Sequence, residues 1–167
     1  MFRGQEFDDE RGKSCEICDL TSSPEHFEGF VTAQENLIAT RVAGCARGMH
    51  YQLPPYEQAK LVTVLEGCAQ FFWVSVRDNA AVPKVNSITL TAGAVSLYTP
   101  ADSAHGFLAV EDGTRFLLKM SAPVSLALRG EVSFLSKSLT FDFAHPLRED
   151  LLSMRDRDAP EWTMRRQ

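Results

Sequence analysis

Two histidines stand in settings where an imidazole could do chemistry. His50 lies in Arg-Gly-Met-His-Tyr-Gln and His105 in Ala-His-Gly-Phe. Alternate side chains of a strand share a face, so His50 and Gln52 point together while Tyr51 points away. Neutral imidazole can take a proton near pH 7 or bind a metal. With Glu57 and Gln52, the two histidines form one conceivable metal set, weakened by an amide where a stronger ligand is wanted.

The rest of the chain supplies a scaffold for such a site. The 167 residues fit one domain, 1–167, read as N-terminal strands over 1–40, a barrel core over 41–146 and a C-terminal segment over 147–167. Successive short strands are expected from Phe27 to about Pro146. Lys60 to Leu65 and Ala69 to Arg77 are apolar, β-rich runs parted by Glu-Gly-Cys, a hairpin signal. Ser87 to Thr91, Ala94 to Thr99, His105 to Val110 and Arg115 to Met120 continue the rhythm between turn residues. Strands at this spacing indicate a sandwich, jelly roll or barrel, an all-β fold. Pro146 to Arg157 reads as a short helix or turn, and Trp162 to Gln167 as a tail that Trp162 could anchor.

Composition narrows the function. The net charge is -5, which disfavours a broad nucleic-acid surface. No apolar run approaches the roughly 20 residues of a membrane span. The opening Met-Phe-Arg-Gly-Gln-Glu-Phe lacks an apolar secretory stretch, so a cytoplasmic location is expected. Cys15, Cys18, Cys45 and Cys68 are expected as reduced thiols; only Cys15 and Cys18 form a Cys-x-x-Cys, and no second ligand pair follows at zinc spacing.

Gly44-x5-His50-x-Gln52-x4-Glu57 and Pro100-x-Asp102-x2-His105 resemble the two cupin motifs, with Gln52 in a metal-ligand position and Asp102 replacing a glycine. A more specific resemblance covers about Asp9 to Pro160. Arg47-Gly-Met-His-Tyr-Gln-Leu-Pro-Pro-Tyr-Glu-Gln-Ala-Lys60 resembles the central motif of the dTDP-4-dehydrorhamnose 3,5-epimerase family. Asp9-Glu-Arg11-Gly-x3-Glu16, Gln34-x-Asn36, Ala104-His105-Gly-Phe-Leu and Ser153-x-Arg-Asp156-x3-Pro160 follow the same pattern in the same order.

The resemblance implies a cupin-type jelly-roll barrel, a homodimer, no metal or other cofactor, and a nucleotide-linked 4-keto-6-deoxy sugar as substrate. It implies His50 as the base beside the ketone and Asp156 as the carboxylate behind it, with Asp158 the alternative if the terminal match slips by two. Lys60 would be the cation near the enolate oxygen. Arg11 and Arg47 match positions that hold the diphosphate or nearby oxygens, as Arg forks suit. Glu16, Gln34, Asn36, Gln52 and His105 match further substrate-binding positions.

The match also has gaps. The tyrosine that returns a proton in the family falls on Leu118, and a second expected aromatic falls near Val124. Acidic positions fall on Phe71 and Ser75, and the usual Ser-x-Ser is absent from Leu37-Ile-Ala-Thr-Arg. Tyr98 is one candidate replacement donor. These gaps are compatible with epimerisation of a single carbon, with one-face proton exchange, and with binding without turnover.

Overall fold

The computed structural model describes residues 1–19, 30–77, 83–93 and 95–162. The expected strand starts at Phe27 and Ala94, and the tail beyond Trp162, lie outside these residues. Two five-stranded antiparallel sheets carry the fold. One has the order β1 (Phe2–Arg3), β9 (Val95–Thr99), β6 (Lys60–Glu66), β11 (Arg115–Met120), β4 (Gln34–Ala39). The other runs β12 (Arg129–Glu131), β5 (Ala46–Gln52), β10 (Ser103–Ala109), β7 (Cys68–Ser75), β8 (Asn86–Thr91). A separate hairpin pairs β2 (Glu6–Asp9) with β3 (Gly12–Cys15). The all-β cupin-type jelly roll expected from the sequence is the fold observed.

Burial explains the apolar runs. In β7 the side chains alternate between two apolar layers, so nearly every residue is buried. Phe71 joins Val62, Val64, Leu97, Phe107 and Phe116 in the core between the sheets. Phe72, one residue on, faces outward against Phe134, Phe141 and Phe143, with ring centroids 5.4 to 5.7 Å away. On the outside of the other sheet, Leu61 packs with Phe30 and Ala59.

One expectation needs correction. The strands do not continue to Pro146: among the described residues the last is β12, and the segment from Val132 to Pro146 crosses the outer face of the second sheet without forming another. Its phenylalanines are held by packing on Phe72, not by a hydrogen-bonded ladder. The C-terminal segment then contains a 3-10 turn, Glu149–Leu151, and a single-turn helix α1, Met154–Arg157, docked on β5. Among the described residues no helix is long and apolar enough to cross a membrane.

Candidate active site

Strict alternation along β5 would place Arg47 on the opposite face from His50. The ladder with β10 shows otherwise. His105 pairs with His50 and Phe107 with Arg47, so three steps along β5 match two along β10. This extra residue is a β-bulge, which resets the parity and lets Arg47 share the cavity face with His50. Gly48 sits at φ 120° inside the bulge, and a Cβ there would come within 2.6 Å of Gly106 Cα. The Arg-Gly-Met-His spacing therefore encodes a close strand approach that a side chain would block.

His50 and Arg47 line a cavity of about 510 Å3, a size suited to a small-molecule ligand. His50 Nε2 lies 2.7 Å from Asp156 Oδ1, across 106 residues of sequence. Helix α1 presents Asp156, and Ser153 caps it: the serine hydroxyl accepts from Asp156 N–H at 3.1 Å and donates to Oδ2 at 2.8 Å. Burial works to raise the Asp156 pKa, but bonds from His50, Ser153 and the Gly48 amide outweigh it and hold it below the ordinary value. An ionised carboxylate accepts, so Nε2 carries the hydrogen and Nδ1 is the basic nitrogen. Asp158 caps the far end of α1 and is exposed.

Burial lowers the pKa of His50, with Asp156 opposing the shift and the charge of Arg129 reinforcing it. Arg129 was not anticipated from the sequence. Its Nη2 stands 2.7 Å from His50 Nε2. Since that nitrogen gives its hydrogen to Asp156 and has no lone pair left to accept, Arg129 acts on the ring by its charge. The Arg129 Nε lies 3.3 Å from Glu131 Oε1 without hydrogen-bond alignment. Glu131 also pairs with Arg155, another cavity residue. Arg129-Gly-Glu131 carries no motif of its own; only the pairing of β12 with β5, Glu131 opposite His50, brings the arginine to this histidine.

Lys60 comes from the other sheet, is 6% exposed, and donates to the carbonyl of Gln58 at 3.5 Å. Burial, aided by the charge of Arg129, brings its pKa down to about 8. His105 is buried beside Thr99, with Nδ1 and Oγ1 3.1 Å apart. Burial, then the charges of Lys60 and His50, keep its pKa well below the ordinary value. Both histidines are thus neutral at pH 7.

The other expected residues divide. Asn36 lines the cavity; Gln34 stands beside it, its amide bonded to Asn36 and to Val124 N. Gln52 also lines the cavity, but its amide is committed to backbone: it donates to Tyr56 and Pro123 carbonyls and accepts from Ser125 N. Arg11 and Glu16 are not brought to the cavity of their own chain. Both are exposed, and Arg11 pairs with Asp9. Glu57 pairs with Arg77 instead of facing His50 and His105, so the conceivable metal set is not assembled. Among the described residues no three His, Cys, Asp or Glu side chains form a metal-binding group. Leu118 and Val124 line the cavity where aromatics were expected. Tyr98 does not line it and packs edge-on against Phe30.

The cupin-type barrel thus brings a buried histidine–carboxylate pair and a lysine to one cavity, groups whose chemistry suits an isomerase. The family described as dTDP-4-dehydrorhamnose 3,5-epimerase matches residues 1–164. A relative from Shigella flexneri, a dTDP-4-dehydrorhamnose 3,5-epimerase, is 29% identical over 93% of this chain and 86% of its own. The crystal structure of a dTDP-4-dehydrorhamnose 3,5-epimerase from Elizabethkingia anophelis superposes with a TM-score of 0.83 at 29% identity, covering 96% of this chain and 88% of that one. A 3'-monoepimerase from Streptomyces bikiniensis, in complex with dTDP-quinovose, gives a TM-score of 0.83 at 26% identity, covering 96% and 81%. The chain belongs to the dTDP-4-dehydrorhamnose 3,5-epimerase family. Its activity is that of an epimerase-like isomerase.

Proposed function

We propose that the protein acts on a nucleotide-linked 4-keto-6-deoxy sugar, removing a proton from a carbon beside the ketone. The observation that carries this is the buried His50–Asp156 pair, with Lys60 on the opposite wall of the same cavity. His50 Nδ1 takes the proton; Asp156 holds the ring and stabilises the imidazolium. Lys60, with no carboxylate partner among the described residues, stabilises the enolate oxygen in a poorly hydrated site. Arg47 receives the diphosphate, Asn36 and Gln34 the sugar or nucleotide, and His105 lines the sugar pocket.

Arg11 and Glu16 contribute to a partner's cavity in a homodimer. Their exposure on β2–β3, away from their own cavity, supports that placement. Leu118 favours chemistry at one carbon, since it leaves the family's proton-donor position without a titratable group.

Incubation of the protein with a dTDP-4-keto-6-deoxy sugar in deuterated water, read by mass spectrometry and NMR, tests the reading. Deuterium beside the ketone supports it, and label at C3 alone identifies one-carbon chemistry. Nucleotide-sugar binding without any label would leave a binding barrel as the correct description.

A further inference from the structure

Inversion needs a second proton source on the face of the sugar opposite His50. We propose that Lys60 is that source, returning the proton from the wall where the family's tyrosine is replaced by Leu118. The inference rests on the enolising function proposed above and assigns the step it leaves open.

The placement follows from the ladders. His50 belongs to the sheet of β5 and β10, whereas Lys60 and Leu118 belong to the sheet of β6 and β11. Across β6 and β11, Lys60 pairs with Met120 and Val62 with Leu118. Lys60, Val62, Leu118 and Met120 therefore share one face, and Lys60 is a diagonal neighbour of Leu118, about 7–8 Å away at the backbone. Both side chains line the cavity.

The remaining polar groups on the cavity do not compete. Cys45 precedes β5 and Tyr51 lies within it, so both belong to the wall of His50, and the Tyr51 ring is turned against Gly130 in the outer cluster of Met49 and Trp162. The Gln58 amide donates to the carbonyl of Ala122 at 2.6 Å. Ser153 is bonded to Asp156, which is itself ionised. Arg47, Arg129 and Arg155 do not release protons near neutrality. His105 is neutral and a far weaker acid than an ammonium. The charged and titratable groups that face Lys60 are His50 on β5, His105 on β10 and Arg129 on β12, none of them an anion. Its pKa of about 8 leaves it mostly protonated at pH 7 and able to give the proton up.

The step balances. His50 takes the C–H proton and the bonding pair becomes the enolate. The enolate then re-forms the ketone while its carbon takes N–H from Lys60 on the other face. Imidazolium and free amine return to their resting forms by exchange with water, with no net proton change.

Lys60→Arg separates the donor role from the charge. Arginine keeps a cation but cannot release a proton near pH 7. With the dTDP-4-keto-6-deoxy sugar in deuterated water, inversion should fall about 100-fold more than label exchange does. Adding Leu118→Tyr to Lys60→Arg should recover inversion at least about 10-fold. In the wild type, inversion should decline more steeply than exchange as pH rises through about 8, a reading that stands even if the variant fails to fold. An unchanged inversion-to-exchange ratio in Lys60→Arg, or a ratio flat with pH, overturns the proposal while leaving enolisation intact. Absence of exchange in the wild type removes the enolising function and this proposal together.

Discussion

His50 and His105 are direct partners across β5 and β10, yet they sit in opposite electrostatic settings. His50 has a carboxylate at 2.7 Å behind its ring, whereas His105 has a threonine hydroxyl and a lysine for neighbours. Only the first arrangement stabilises an imidazolium as it forms. The same strand pairing thus gives one histidine a carboxylate behind its ring and the other none, and only the first suits the base proposed above.

That asymmetry predicts unequal mutants. His50→Ala should abolish deuterium exchange into substrate. Asp156→Asn keeps the shape but stabilises the imidazolium poorly, and exchange should slow by about 100-fold to 10,000-fold. His105→Gln should weaken substrate handling more than exchange itself. Single-turnover exchange rates check all three; exchange persisting in His50→Ala would show that another group is the base.

The pH–rate profile should be bell-shaped. His50 must be neutral, so the acid limb lies below its ordinary value of 6.5, because burial lowers its pKa. Lys60 must be protonated, so the alkaline limb falls through about 8. Arg129 faces both groups and lowers both, so Arg129→Met should move both limbs upward. Profiles of kcat/KM for wild type and variant provide the measurement.

Stability should also depend on the histidines. Folded His50 and His105 have pKa values below 6.5, so as pH falls through 6.5 the unfolded chain gains protons that the folded chain does not. Stability is therefore lost on acidification below about pH 6.5, by up to roughly 1.4 kcal/mol per pH unit per histidine. Urea unfolding between pH 7.5 and 5.5 tests this, and the slope should shrink in His105→Gln.

Lys60→Met should raise stability while removing activity. The lysine's pKa falls from 10.5 to about 8 on folding, which corresponds to roughly 3 kcal/mol of destabilisation at neutral pH. Methionine fills a similar volume without a charge to desolvate. An increase in the urea midpoint with loss of exchange is the expected result; a destabilised variant would mean that the ammonium is better solvated than its burial indicates.

Phe72→Ala should cost about 3–5 kcal/mol. Phe72 is fully buried and anchors three further phenylalanines from the strandless segment after Glu131. Because the same segment leads into α1, the variant should also loosen Asp156 and slow exchange. Thermal unfolding and exchange rates measured together check the coupling.

Much of the site was legible because strands repeat every two residues. Alternation placed His50 with Gln52 and sent Tyr51 to the outer layer, where it packs with Met49 and Trp162. The same rule would have misplaced Arg47, since a bulge counts as one residue too many and leaves no mark in the sequence except a glycine. The segment 132–146 was misread as further strands because buried phenylalanines give the same apolar signal whether a ladder or a neighbouring sheet holds them. Gln52 was visible as a cavity residue, but nothing local revealed that two backbone groups more than 70 positions away join the nearby Tyr56 carbonyl in binding its amide.

By itself, the sequence determined the all-β class, the run of strands from Lys60 to Met120, and the two histidines with their shared face. These follow from side-chain period and turn chemistry, which act over a few residues. Tertiary structure decided which aspartate meets His50, that Arg129 stands at the same nitrogen, and that Lys60 lines the cavity from the opposite sheet. Those relations join residues up to 106 positions apart. They depend on strand order, register and the docking of one helical turn, and no local preference encodes them.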